Sequence, residues 1–127
     1  MTEYVILFNA EWVPDLTDDD VAEASRRVRA LRAEMTAADA LIYTNGLEPD
    51  APVFSVDASS GEPLFSDGPF VESKEHLGGF AVVDVPDDGE ARYWAGRIAM
   101  AVGWPQEVHR FPHRIVLSAD TQPEASA

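Results

Sequence analysis

Tyr4-Val5-Ile6-Leu7-Phe8 is an unbroken apolar run rich in strand-forming residues, bounded by Asn9 and followed by a loop containing Pro14. A run that is apolar at even and odd positions alike has no solvated face, so it predicts a strand covered on both sides. Gly79-Phe80-Ala81-Val82-Val83-Asp84-Val85 repeats the pattern late in the chain. Whatever else the chain builds must therefore cover two faces of one sheet.

Working outward, Thr17 with Asp20 three residues on forms a capping box, and Val21, Ala24, Val28, Leu31 and Met35 recur at spacings of three and four, which predicts a helix over 17–38. Arg26, Arg27, Arg29 and Arg32 lie off that apolar stripe. Residues 40–47 and 51–56 read as strands separated by Glu48-Pro49-Asp50, and Pro63-Leu64-Phe65 pairs back across the loop 57–61 as a hairpin. Pro86-Asp87-Asp88 opens a second helix with Ala91, Trp94, Ala95, Ile98, Ala101 and Val102 on one face, and Gly103 ends it. Residues 107–111 make a last strand that Pro112 interrupts, Ile115-Val116-Leu117 adds an edge segment, and the polar, acidic tail 118–127 is expected to be disordered.

This order predicts an α+β fold: a ferredoxin-like βαββαβ unit with an inserted hairpin, in a single domain over 1–117. Two helices cover only one face of such a sheet. The simplest cover for the second face is the same face of a second copy, so a C2 homodimer is expected.

The chain has 127 residues, 46% of them hydrophobic, which suffices for one core without metals or disulfides. It has no cysteine, which excludes thiol nucleophiles and Cys-based zinc sites. Acidic residues outnumber basic ones 23 to 9, for a formal charge of −14, and a field of that sign repels phosphate backbones and anionic lipid. Neither nucleic acid nor membrane is expected as a partner. No run approaches the roughly 20 apolar residues of a membrane span, and Met1-Thr2-Glu3-Tyr4 lacks a basic leader, so a soluble cytoplasmic protein is the expectation.

The densest chemistry lies in Asp67-Gly68-Pro69-Phe70-Val71-Glu72-Ser73-Lys74-Glu75-His76-Leu77-Gly78-Gly79-Phe80, which holds the only lysine, one of three histidines and three carboxylates. Gly68 and Pro69 force a turn after Asp67, Phe70 is placed to plug that turn into the core, and Gly78-Gly79 predicts a bulge or a close approach to the backbone. Two readings stand for each polar group. Asp67 is a general base or its orienter, or it caps the amides of its own turn. Glu72 is a second carboxylate and Lys74 holds an anionic group, or with Glu75 they form a solvated stub. His76 is a proton shuttle, or a loop histidine. Gly78 lets a ligand reach the backbone.

Asp67-Gly68-Pro69-Phe70, Glu72-Ser73-Lys74-Glu75 and Leu77-Gly78-Gly79-Phe80 together resemble the signature of the DGPF, or YCII-related, family. The resemblance implies a small bacterial protein whose fold is a dimeric α+β barrel of ferredoxin-like subunits. Two functional readings follow. The residues point to a small-molecule site between the sheet and the 67–79 loop, acting on a compact, aromatic or carbonyl-containing molecule by cofactor-free acid/base chemistry. The resemblance implies the alternative, a non-catalytic module linked to a sigma factor of the extracytoplasmic-function class. Enzymatic members of the wider superfamily are thought to use a histidine on the first helix with an aspartate, and here residues 17–38 contain no histidine.

Tyr43 and Asn45 alternate along a strand and so share a face, where they would position a ligand; the other reading puts Tyr43 in the core with its hydroxyl at the rim. Trp12 lies in a loop where it would act as a lid. His109 and His113 are four apart, about 13 Å along a strand, too far to share a zinc ion held at about 2 Å from each. No metal site is expected. The chain has no Gly-rich phosphate loop and no G-x-S-x-G elbow, so no cofactor is expected either.

Overall fold

The computed structural model describes residues 1–71 and 75–112. The strands are β1 (Thr2–Asn9), β2 (Leu41–Gly46), β3 (Phe54–Asp57), β4 (Leu64–Asp67), β5 (Leu77–Val85) and β6 (Glu107–Arg110). Helix α1 (Asp18–Ala37) follows β1, and α2 (Asp88–Val102) joins β5 to β6. β2, β5, β1 and β6 form one antiparallel sheet in that order, with β3 and β4 apart as a two-stranded sheet. With the hairpin set aside, the sheet order is that of a ferredoxin-like fold, as the element order predicts.

The helices form where their ends are capped. Thr17 Oγ1 accepts from Asp20 N at 3.1 Å while Asp20 Oδ2 accepts from Thr17 N at 3.0 Å, the reciprocal capping box read from the sequence. Asp87 caps α2 through Glu90 N, and Gly103 ends it in the left-handed region at φ 98°. At the other end of α1, Asp39 takes φ 57°, a conformation that aspartate tolerates better than most residues and one the sequence reading did not anticipate.

Both helices lie on one face of the sheet. Tyr4 and Ile6 pair with Val83 and Ala81, and these four are buried with Val85 against Leu31 and Met35 of α1 and Ala91, Trp94 and Ala95 of α2. Each fully buried aliphatic side chain there contributes about 1.5–3 kcal/mol of transfer free energy. On the opposite face the pairs Val5–Val82 and Leu7–Phe80 are half-buried and stand outside this cluster. Val21 and Val28, predicted for the buried stripe of α1, remain exposed; of that stripe Ala24, Leu31 and Met35 are buried, and only Leu31 and Met35 join the cluster on the sheet.

The hairpin departs from two expectations. β3 begins at Phe54 rather than residue 51, since Pro52 has no N–H to contribute to the pairing. Phe70 does not plug into the core; it is 73% exposed, because the hairpin it follows pairs only with itself and has no core beneath it. The expectations for Glu72, Lys74, His113, the edge segment at 115–117 and the tail 118–127 lie outside the described residues. No helix among the described residues is long and apolar enough to cross a membrane.

Candidate functional site

The pairing of β1 with β5 shifts register at Gly78. Phe8 pairs with Gly79 and Asn9 with Leu77, so Gly78 is the extra residue of a bulge in β5. A Cβ on Gly78 would stand 2.6 Å from Phe8 Cε2, and one on Gly79 would stand 2.9 Å from Phe8 Cε1. The bulge and the close approach read from Gly78-Gly79 are both present, and what approaches is the ring of Phe8. That ring meets Trp104 edge to face at 5.4 Å between centroids, which anchors the end of the sheet to the turn after α2.

His76, immediately before β5 and two residues ahead of the bulge, meets a turn that sequence reading left unassigned. Residues Ala10–Trp12 form one turn of 3-10 helix directly after β1. Ala10 N donates to His76 O at 2.7 Å, which lays Glu11 against the histidine. Glu11 Oε1 then accepts from His76 N at 2.8 Å, and Oε2 meets His76 Nδ1 at 2.7 Å. One carboxylate thus holds both the backbone and the ring of a single residue. The hydrogen bond to the His76 ring, followed by the one from its backbone, draws the Glu11 carboxyl below its ordinary pKa. An ionised carboxylate only accepts, so Nδ1 must carry a proton, and in the neutral ring Nε2 is left with a free lone pair. His76 was legible as a candidate. Glu11, 65 residues away in sequence, carried no local signal.

Tyr43 and Asn45 do share a face, and they touch: Asn45 Nδ2 donates to the Tyr43 hydroxyl at 3.0 Å, and Asn45 Oδ1 accepts from Gly46 N at 2.9 Å. The Tyr43 ring leans on Phe80 at 6.0 Å between centroids rather than entering the core. Its hydroxyl proton has no acceptor among the described residues, so it is free to donate to a ligand. Leu47 N bonds Gly78 O at 2.9 Å, tying the end of the Tyr43–Asn45 strand to the bulge beside His76. Trp12, half-buried, occupies the same turn as Glu11.

Asp67 stands elsewhere. It ends β4 opposite Phe54, in the sheet separate from that of His76. The turn after it is fixed through the backbone of Gly68: its N donates to Val53 O at 2.7 Å, and its O accepts from the Ser55 hydroxyl at 2.6 Å. The Asp67 side chain caps no amide among the described residues. His109 is engaged by Glu107 Oε2 at 2.6 Å, and no cluster of three metal-ligating side chains occurs among the described residues.

A second polar centre, which the sequence did not single out, lies at the far end of the sheet. The buried Tyr4 hydroxyl donates to Asp88 Oδ1, and Arg110 Nη1 lies 3.5 Å from the same oxygen. The bond from Tyr4 lowers the Asp88 pKa and raises that of Tyr4.

The YCII-related domain model matches residues 9–103, from the Glu11 turn through both helices and the Gly78 bulge. The chain belongs to the YCII-related family. A comparison with curated proteins gives no match. The YCII-related match thus spans well over half of the chain and includes His76, Glu11, Tyr43 and Asn45.

Proposed function

We propose that this YCII-related protein binds a compact, aromatic or carbonyl-containing molecule beside the Asp67–Phe80 motif and carries out cofactor-free proton transfer on it. The observation that carries the reading is the two-point hold of Glu11 on His76. A carboxylate at Nδ1 fixes the ring tautomer, aims Nε2 outward and stabilises the imidazolium that forms when Nε2 takes a proton. This is the arrangement a general base needs, built here from the 3-10 turn and the bulge rather than from a histidine on α1. Tyr43 and Asn45 position the ligand, with the Tyr43 hydroxyl donating to its carbonyl oxygen. In this proposal Glu72 is the second carboxylate and Lys74 meets an anionic group, while His76 takes the role of base that the sequence offered to Asp67, which ends the separate hairpin. The half-covered face carrying Val5, Leu7, Phe80 and Val82 is the surface over which a second copy closes the dimer.

The test is base-catalysed exchange of the hydrogen next to the carbonyl in a panel of small aromatic ketones and keto acids, followed by proton NMR in D2O. The protein accelerates exchange of at least one compound, His76→Gln abolishes the acceleration, and Glu11→Gln lowers it by about 10-fold or more, within the usual range of general acid–base contributions. Exchange no faster than in buffer for every compound would contradict the reading.

A second reading is favoured by the hairpin. Phe54, Val56 and Phe65 lie on one of its faces and are 70%, 54% and 69% exposed. A non-catalytic module meeting a protein partner, such as a sigma factor, would use that face. Co-purification of such a factor, lost with Phe65→Ser, is the discriminating result.

A further inference from the structure

α1 presents four arginines, and among the described residues only Arg27 is committed to a partner. Arg27 Nη1 pairs with Glu23 at 2.8 Å and Arg27 Nε donates to Ala101 O at 2.8 Å, which fastens α1 to the end of α2. Arg32, further along the helix, has no ion pair or hydrogen bond among the described residues. It lines two adjoining spaces between the helices and the sheet, one of about 240 Å³ and a smaller one of about 50 Å³. Both also share Val28, Thr44, Ala81 and Ile98.

The composition of that wall is unlike the rest of the molecule. Acidic residues number 23 in 127, yet among the described residues no Asp or Glu lines either space. Two other clefts contain Asp88, and Asp87 as well in the larger of the two. Arg32 shares this wall with Phe8, Val28 and Ile98 and, with no carboxylate among the described lining residues, makes a local positive site in a chain of charge −14. Arg is suited to such a role because its planar fork meets a carboxylate with two parallel hydrogen bonds. Thr44 Oγ1 donates to Phe80 O and Gln106 Nε2 to Trp104 O, which leaves acceptor capacity on both side-chain oxygens, while Asn45 on the same wall is engaged with the Tyr43 hydroxyl and Gly46 N.

We infer that this cleft binds a small monocarboxylic acid with an apolar, ring-sized body, the carboxylate on Arg32 and the body against Phe8, Val28 and Ile98. The volume suits one ring and a short side chain, and the open oxygens of Thr44 and Gln106 suit a ring hydroxyl. Gly46 lines the same cleft, and its neighbour Leu47 bonds the bulge at Gly78, so the site adjoins the Glu11–His76 pair without including it. The inference does not rest on proton transfer at His76.

The test is a backbone-amide NMR titration of the full chain with phenylacetate and, as its neutral isostere, phenylacetamide. Phenylacetate shifts the amides of Thr44, Gly46, Ala81 and Gln106 saturably, and phenylacetamide binds at least 10-fold more weakly. Arg32→Gln removes that preference, whereas Arg29→Gln, on the same helix but off the cleft wall, keeps it. His76→Gln binds phenylacetate like the wild type, which separates failure of this site from failure of the proton-transfer reading. No saturable shift at the cleft, equal binding by Arg32→Gln, or an equal loss in Arg29→Gln would each overturn the inference.

Discussion

The four-stranded sheet and the β3–β4 hairpin are written in the same alphabet and end in opposite states. In the sheet, Ile6 and Val83 are 1% and 0% exposed; in the hairpin, Phe54 and Phe65 are 70% and 69% exposed. Both regions are apolar, rich in strand formers and bounded by turn residues. The difference is the layer above: the sheet has two capped helices to bury against, while the hairpin has only its own two strands, and a lone two-stranded unit is marginal in water. Apolar content therefore indicates that a residue needs cover, and only topology shows whether the same chain supplies it.

The comparison is broken most directly by removing a side chain from each region. Ile6→Ala empties part of the buried cluster and is expected to cost about 2–5 kcal/mol in denaturant unfolding. Gly79→Val comes next, at about 1–3 kcal/mol, because its branched side chain enters the space of the Phe8 ring. Phe8→Ala in the same chain should return part of that loss, and a double-mutant cycle reads the coupling. Thr17→Ala removes half of the capping box and should cost about 1 kcal/mol. Phe65→Ser, on the hairpin, should move monomer stability by less than about 0.5 kcal/mol, as for an uncovered surface position. A larger loss that grows with protein concentration would show that a second copy covers the hairpin.

Acid sharpens the comparison in another way, since Glu11 and Asp88, whose carboxyls are held below their ordinary pKa values, belong to the body of the sheet and its helices rather than to the hairpin. Glu11 and Asp88 both have pKa values lowered in the folded state, so the stabilisation they give is full above their ordinary values of 4.5 and 3.8 and is lost as pH falls through the lowered ones. Wild type should therefore lose stability on acidification faster than Glu11→Gln or Asp88→Asn. Parallel pH profiles for all three proteins would remove these bonds from the account.

Much of the fold was legible because its signals are local. The Thr17–Asp20 capping box, the stripe through Leu31 and Met35, the Gly103 stop and the Gly78 bulge each follow from a few adjacent residues and a known backbone requirement. The candidate site was half legible. His76, Tyr43 and Asn45 could be singled out by residue type and spacing, but Glu11 acquires meaning only when β1 and β5 pair and bring it across 65 positions. Arg32 was visible only as one charge among four on a helix until the cleft beside it took shape. Phe70 shows the reverse error: a turn-plugging aromatic was expected where no core lies beneath.

The central claim is that Glu11 sets the proton position on His76, and long-range 15N–1H correlation of the imidazole reads it directly. At a pH where the ring is neutral, wild type should carry its proton on Nδ1 with Nε2 bare, and Glu11→Gln should shift the ring toward a mixture rich in the Nε2–H form. An Nε2–H ring in the wild type, unchanged by the substitution, would contradict the account.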